Sequence, residues 1–557
     1  MSSTTESSRP SGAGRVLIIG FDGATFDLIE PWVKEGHLPN LARLMAQGAW
    51  GRLESTIPAH SAPAWSTFST GLLPGQHGVY HFVGLSRDDK YFRPVSSNAI
   101  QGRMVWEWAG AQGLRVGAIN VPLTYPPRPV NGYMISGIFA PDSASAFWPP
   151  ELYEEVTRAC GEYTIEVYGT LNRRLQFDTI LAAINRRLEV AEYLMERHPV
   201  DFMTVVFRML DSVQHKFWAD MDPHHPARPH LKGELLPEAI LECHRTLDAA
   251  LGRLLEKAGA QTRVLVVSDH GFRGEYRRLA INKWLHERGL LYPTGGSVSL
   301  AGKVMATARQ LGLSKLLGNL VRTAAGPRYR TAQAQRMSLL YRSIDWPRTQ
   351  VVFGPNHGFN INLKGRDPEG IVTAAEYEPL RDRLIQELNA IRDPDTGRQV
   401  IAEVHRREEI YQGGAVELAP DLIPVMAEQS TNGRRWGIGL NANPQAWTLM
   451  TPPSLRMTGD HAPDGIFLAC GPGIRPGRLE GLRLVDVAPT ALYAAGLTVP
   501  RVMDGQVRTE LFDPGYLAAH PVPVGEVELA PEAHASEGAP EQDEAMVEAR
   551  LRDLGYL

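Results

Sequence analysis

Three short, mainly apolar runs, VLIIGF, FMTVVFRML and VLVVS, each lead into an aspartate: Asp22, Asp211 and Asp269. A strand that is apolar at every position has no face to show to water, so it must be covered on both sides. Strands of that kind belong in a parallel sheet sandwiched between helices, and helical patterns do separate them. LPNLARLMAQ carries Leu38, Leu41, Leu44 and Met45 on one side, and further helices are expected around 104–113, 178–197 and 237–258. RVGAINV adds a strand, and GFNINLKG, DLIPVM and GIFLACG read as strands closer to the C-terminus. The alternation predicts an α/β fold with a doubly wound, mostly parallel sheet and helices on both faces. In such sheets ligands collect just beyond the carboxyl ends of the strands, where all three aspartates fall.

Composition narrows the classes of partner. The net charge of -5 gives no reason to expect a nucleic acid duplex or an acidic membrane. Cys160, Cys243 and Cys470 are far apart and form no C-x-x-C pair, so neither a disulfide scaffold nor a thiolate zinc site is expected. The N-terminal MSSTTESSRPSGAG lacks the apolar core of a secretory signal, and no apolar run suits a transmembrane segment, so a cytoplasmic protein is expected. Residues 1–14 read as a disordered tail and 15–515 as one catalytic domain. Within it 288–344 stand out as a helical cap or insert, with nine Lys or Arg and no Asp or Glu. Residues 516–557, rich in Pro, Ala and Glu, read as an extended tail ending in a short helix.

Chemistry concentrates in a few segments. DSVQH spaces Asp211 and His215 four apart, on one face if a helix begins there. SDHGF sets Asp269 beside His270 at a strand end, and GDHAPDG places His461 just before another strand. Each alone is ordinary, a capping aspartate or a satisfied loop histidine. Together they offer nitrogen and oxygen donors without thiolate, enough for two divalent metal ions with coordination positions left open. Zn²⁺ suits such donors best, with Mn or Fe as substitutes.

These segments, with GFDG, SAPAWSTFSTGLLPGQHG and VDVAPTALYAAGLTVPRVMDGQ, resemble the alkaline phosphatase superfamily, in its type I phosphodiesterase/nucleotide pyrophosphatase branch. The resemblance runs from about Arg15 to Gln506. It implies that Asp211, His215 and His461 hold one metal, and that Asp22, Asp269 and His270 hold the other together with the nucleophile. By the same register the nucleophile is Ser61, which also touches the metal as alkoxide. The implied activity is hydrolysis of a small phosphoester through a covalent phosphoserine. Two departures matter. Phe82 stands where nucleotide pyrophosphatases carry an asparagine that holds a phosphoryl oxygen, which weighs against nucleotide diester specificity. Trp65 stands where the similar sulfatase motif needs an arginine, which weighs against a sulfatase. Two alternatives are a phosphotransferase or mutase of the same superfamily, and a catalytically silent binding protein. Monoester or diester preference, the physiological substrate and the oligomeric state stay open.

Overall fold

The structure is a computed structural model, describing residues 14–86, 92–167, 172–294, 344–431, 434–441, 449–528 and 550. Twelve strands and five helices position the site and build the lobe beside it. The strands are β1 (Arg15–Phe21), β2 (Ala49–Glu54), β3 (Val116–Val121), β4 (Gly132–Ser136), β5 (Phe202–Phe207), β6 (Thr262–Val267), β7 (Gly271–Ala280), β8 (Phe359–Ile361), β9 (Leu422–Met426), β10 (Arg434–Asn441), β11 (Gly459–Ala462) and β12 (Asp464–Cys470). The helices are α1 (Pro39–Gln47), α2 (Ser61–Thr70), α3 (Arg173–Arg197), α4 (Met209–Met221) and α5 (Ala239–Ala258).

The main sheet has ten strands, with β2, β12, β6, β1, β5, β3 and β4 adjacent in that order. β1 lies parallel to β5 and β6. β12 runs antiparallel between β6 and β2, the one reversal among these seven. The apolar runs behave as expected of strands covered twice. Val16 and Ile18 of β1 enter one hydrophobic core and Leu17 and Ile19 the other, all buried. β6 divides likewise, Leu265 and Val267 against Val264 and Val266. Side chains alternate across a strand, so both halves of each apolar run gain burial.

A second lobe with a core of its own is not apparent from the sequence. Leu279, Trp284, Phe353, Phe359, Leu384, Leu422 and Ile438 pack together away from the main sheet. They come from two smaller sheets, one containing β7, β10 and β11 and the other β8 and β9, with Trp284 and Leu384 supplied by the helices Ile281–Glu287 and Ala374–Asn389. Their strands are short, and their apolar residues give no long run to mark a layer. Most of the expected basic insert, 295–343, lies outside the described residues, as do 529–549 and 551–557 with the expected C-terminal helix. Pro293 pairs with Ile344, so the two described ends of the basic stretch lie side by side. Residues 514–528 lie against the main body, where Val524 and Gly525 pair with Val499 and Pro500. Among the described residues no helix is long and apolar enough to cross a membrane.

Helix α1 begins without a side-chain cap of its own, at Leu38. The cap comes instead from α5. The Asp248 carboxylate accepts the backbone N–H of Leu41 at 2.8 Å and of Asn40 at 3.1 Å, with the Asn40 side chain at 3.0 Å. Asp248→Ala leaves those buried donors unpaired and is expected to cost about 1–3 kcal/mol. Chemical denaturation of the two proteins checks this, and a loss below half a kcal/mol contradicts the capping role.

Candidate metal centre

The parallel strands deliver their aspartates to one rim of the sheet. Asp22 directly follows β1, and Asp269 and His270 occupy the short link between β6 and β7. Asp211 and His215 sit one turn apart in α4, which follows β5, so the helical spacing puts both on one face. His461 comes from much further along the chain. It lies in β11, opposite Phe272 of β7, and this pairing stacks its ring on His270 with centroids 3.8 Å apart. Ser61 is the first residue of α2, after His60, whose ring accepts the Ala62 N–H.

Two groups of three ligands result: Asp211, His215 and His461, and Asp22, Asp269 and His270. In the first, Oδ1 of Asp211 lies 3.2 Å from Nε2 of both His215 and His461. In the second, Nε2 of His270 lies 3.2 Å from Asp269 Oδ2 and 3.7 Å from Asp22 Oδ1. Ser61 Oγ stands 3.0 Å from the same nitrogen. All seven residues predicted for the site therefore meet in one buried cluster.

The outward nitrogens of the histidines fix what the inward ones can do. Nδ1 of His215 donates to Gly459 O at 2.8 Å, that of His270 to Gly271 O at 3.0 Å, and that of His461 to Ala59 O at 3.2 Å. A carbonyl only accepts, so each Nδ1 bears the proton and each neutral ring turns a bare Nε2 inward. Nε2 of His215 and of His461 are 3.0 Å apart, too close for two facing lone pairs. A proton or a cation must stand between them. Without metal a proton suffices: burial alone would depress His215, but the Asp211 carboxylate outweighs it and raises its pKa. Burial pushes His461 and His270 down to about 4.

The second group shows the same deficit in carboxylates. Asp22 Oδ1 and Asp269 Oδ2 are fully buried and accept no hydrogen bond. Burial, then repulsion from Asp211, lifts Asp269 to about 7; burial, then repulsion from Asp269 and Asp211, raises Asp22 well above the usual range. Buried carboxylates lacking partners are costly, and a divalent cation is the partner that this donor set fits.

Neighbouring side chains hold the ligands in place, and the sequence reading missed them. Trp65, one turn after Ser61, donates its indole N–H to Asp22 Oδ2 at 2.9 Å. Arg208 donates to Asp211 Oδ2 at 2.7 Å and Ser212 Oγ at 2.7 Å, and also pairs with buried Glu166. The spacing of Arg208 three residues before Asp211 was the available signal. Phe82 is wholly buried, edge-on to His60 at 5.2 Å and to Phe139 at 4.9 Å, so its register holds packing and no polar ligand. The other hydroxyls near Ser61 are engaged elsewhere. Ser66 bonds Ala62 O at 2.8 Å, Thr67 bonds His77 at 3.0 Å, and Ser55 bonds Asp269 O at 2.5 Å.

A family model, type I phosphodiesterase/nucleotide pyrophosphatase, matches residues 16–464 of the chain. Among solved structures, one similar chain is phosphonoacetate hydrolase from Sinorhizobium meliloti 1021 in complex with phosphonoformate. It is 15% identical, with TM-score 0.49, over 86% of this chain and 96% of that one. Another is murine ectonucleotide pyrophosphatase/phosphodiesterase 5, inactive and in complex with AMP. It is 14% identical, with TM-score 0.48, over 90% of this chain and 100% of that one. The human form of that protein is also 14% identical, with TM-score 0.49 and the same coverage. No curated protein matches the chain.

The raised carboxyls make metal uptake a competition with protons. A cation needs Asp269 ionised, and with its pKa at about 7 the folded chain holds a proton there below that pH. Affinity at the Asp22, Asp269 and His270 group is therefore expected to fall about tenfold per pH unit below 7 for each proton displaced. Titration of metal-free protein with zinc at pH 6 and pH 8, in buffers of different ionisation heat, reads the protons released. An affinity independent of pH contradicts the assignment.

Proposed function

Because this chain belongs to the type I phosphodiesterase/nucleotide pyrophosphatase family, and so is a phosphoester hydrolase, we propose that it depends on two divalent metal ions and works through a phosphorylated Ser61. The observation that carries the reading is the position of Ser61 Oγ, at the start of α2 and 3.0 Å from His270 beside both ligand groups. When bound, divalent cations would supply the positive charge that lowers the pKa of a hydroxyl and neutralises phosphoryl oxygens. Asp211, His215 and His461 would hold one, and Asp22, Asp269 and His270 the other, with zinc best suited to this donor set.

The chain itself supplies position and dryness. His270 Nδ1 is committed to a carbonyl, so without a cation Nε2 accepts the Ser61 O–H hydrogen bond and points Oγ into the cluster; with a cation held, that lone pair would go to it and the hydroxyl proton would leave to water. The α2 terminus fixes the Ser61 backbone, and Trp65 on the next turn ties the helix to Asp22. Ser61 Oγ forms a bond to phosphorus while the bond from phosphorus to the leaving oxygen breaks, and the leaving group departs with that electron pair. Water then attacks phosphorus and releases Ser61, which regains its proton. Ser61, His270, Asp22 and Asp269 are all below 1% exposed, so no bulk water competes as nucleophile until the site opens to its cavity.

Ser61→Ala should fold and retain metal, because six ligands remain, and should lose turnover by about three orders of magnitude or more. Acid quenching with labelled substrate should place phosphate on the Ser61 peptide. Full activity in Ser61→Ala with no labelled peptide contradicts the covalent route. Elemental analysis of protein purified without chelator should give about two metal equivalents per chain. Less than one equivalent in fully active protein contradicts the two-metal reading.

A further inference from the structure

The Asp211, His215 and His461 group opens, through its two histidines, onto a cavity of about 670 Å³ between the main sheet and the second lobe. His60, His215 and His461 stand at its metal end, and Arg273, Glu275 and Arg278 of β7 form part of its wall. Side chains two and three positions apart along a regular strand cannot all face one way, yet these three do. A bulge between Glu275 and Arg277, against β10, shifts the alternation so that Arg278 joins the face of Arg273 and Glu275. The facing strand then makes room for them. A Cβ on Gly437 would meet the Arg273 guanidinium at 2.5 Å, and one on Gly439 would collide with the Glu275 carboxyl. The W-G-I-G-L-N stretch of β10 is thus a trough for charged side chains.

We propose that Arg273 and Arg278 form a second anion-binding site in this cavity, taking a carboxylate or phosphate carried by the substrate's leaving group. Arg273 is 6% exposed and meets Glu428 through Nη1 at 2.9 Å, while its buried Nε has no hydrogen-bond partner. Glu428 is itself shared with Arg435. Arg278 meets Glu275 through Nε at 2.9 Å, which leaves the outer edge of its guanidinium for a ligand. Burial holds Glu275 up at about 7, so it only partly offsets that charge. Asp460, the remaining acid of the wall, stands opposite Arg273 in the pairing of β7 with β11 and accepts the His461 backbone N–H at 2.9 Å, so it offsets part of the Arg273 charge. A planar guanidinium edge binds carboxylate or phosphate through paired, charge-assisted hydrogen bonds. The substrate class this implies is a phosphoester whose leaving group bears its own negative charge at the far end of an apolar body.

The inference rests on Ser61 and the ligand groups being the hydrolytic end of the cavity. The test compares alkyl phosphates with ω-carboxyalkyl and ω-phosphoalkyl phosphates over a series of chain lengths, using zinc-loaded full-length protein. At the matching length, kcat/KM should favour the anionic leaving groups by about tenfold or more. The order of the carboxylate and phosphate series tells which anion is taken. Arg278→Gln should bring the ratio close to one, and Arg278→Lys should keep part of it. A wild-type ratio near one, a ratio unchanged in Arg278→Gln, or a preference for ω-ammonioalkyl phosphates overturns the site. If nothing is hydrolysed, the hydrolase reading fails, and the site is decided by calorimetry alone. An ω-carboxyalkylphosphonate should then bind about tenfold tighter than its alkyl counterpart and lose that advantage in Arg278→Gln; equal affinities overturn it.

Discussion

A concentration of buried ionisable groups is the constraint on which the rest of this structure depends. Asp22, Asp211, Asp269, His215, His270 and His461 all lie at the carboxyl rim of the sheet, each 9% exposed or less. Two of the carboxylates present buried oxygens without hydrogen-bond partners, and two imidazoles face each other through Nε2. Folding brings these groups out of water and gives them little in return. Protons can fill the gap at a cost that changes with pH, whereas cations fill it with charge and with bonds to every donor. The stability of the cluster and its chemistry thus have one physical source.

The side chains around the cluster keep those donors in place. Arg208 links Asp211 to Glu166 and Ser212 and prevents the first carboxylate from turning away. Trp65 does the same for Asp22, and the Gly23 N–H holds Asp269 Oδ1 at 3.2 Å. Three backbone carbonyls decide the histidine tautomers. Few of these contacts touch solvent, so their geometry is set by packing and does not have to be re-formed when a substrate arrives.

The second lobe changes the meaning of the long stretch between His270 and His461. It is inserted between two residues that end up stacked on one another, and its strands line the cavity into which the cluster opens. A lobe in that position shapes the cavity beside the cluster without supplying any of its seven residues. The bulged β7 strand belongs to both tasks: it begins one residue after His270 and carries Arg273, Glu275 and Arg278 along the cavity wall.

The sequence by itself determined the main sheet and the seven residues at its rim. Apolar runs on β1, β5 and β6 have to be covered on both faces, and that requirement is local to each run. The four-residue spacing of Asp211 and His215 is likewise a property of a single helix. No local pattern tells which donors share a group: the family resemblance implied the division, and the tertiary structure brings His461 to Asp211 through the pairing of β11 with β7. It also decided the roles of Trp65 and Arg208, whose side chains look ordinary until their partners arrive from other strands. The second core stayed hidden for a related reason. Apart from the ten-residue β7, its strands, such as Phe359–Ile361, are two to eight residues long and gain their burial from one another, so no single segment displays the pattern. Contacts within one element leave a period in the sequence; contacts between elements leave only composition.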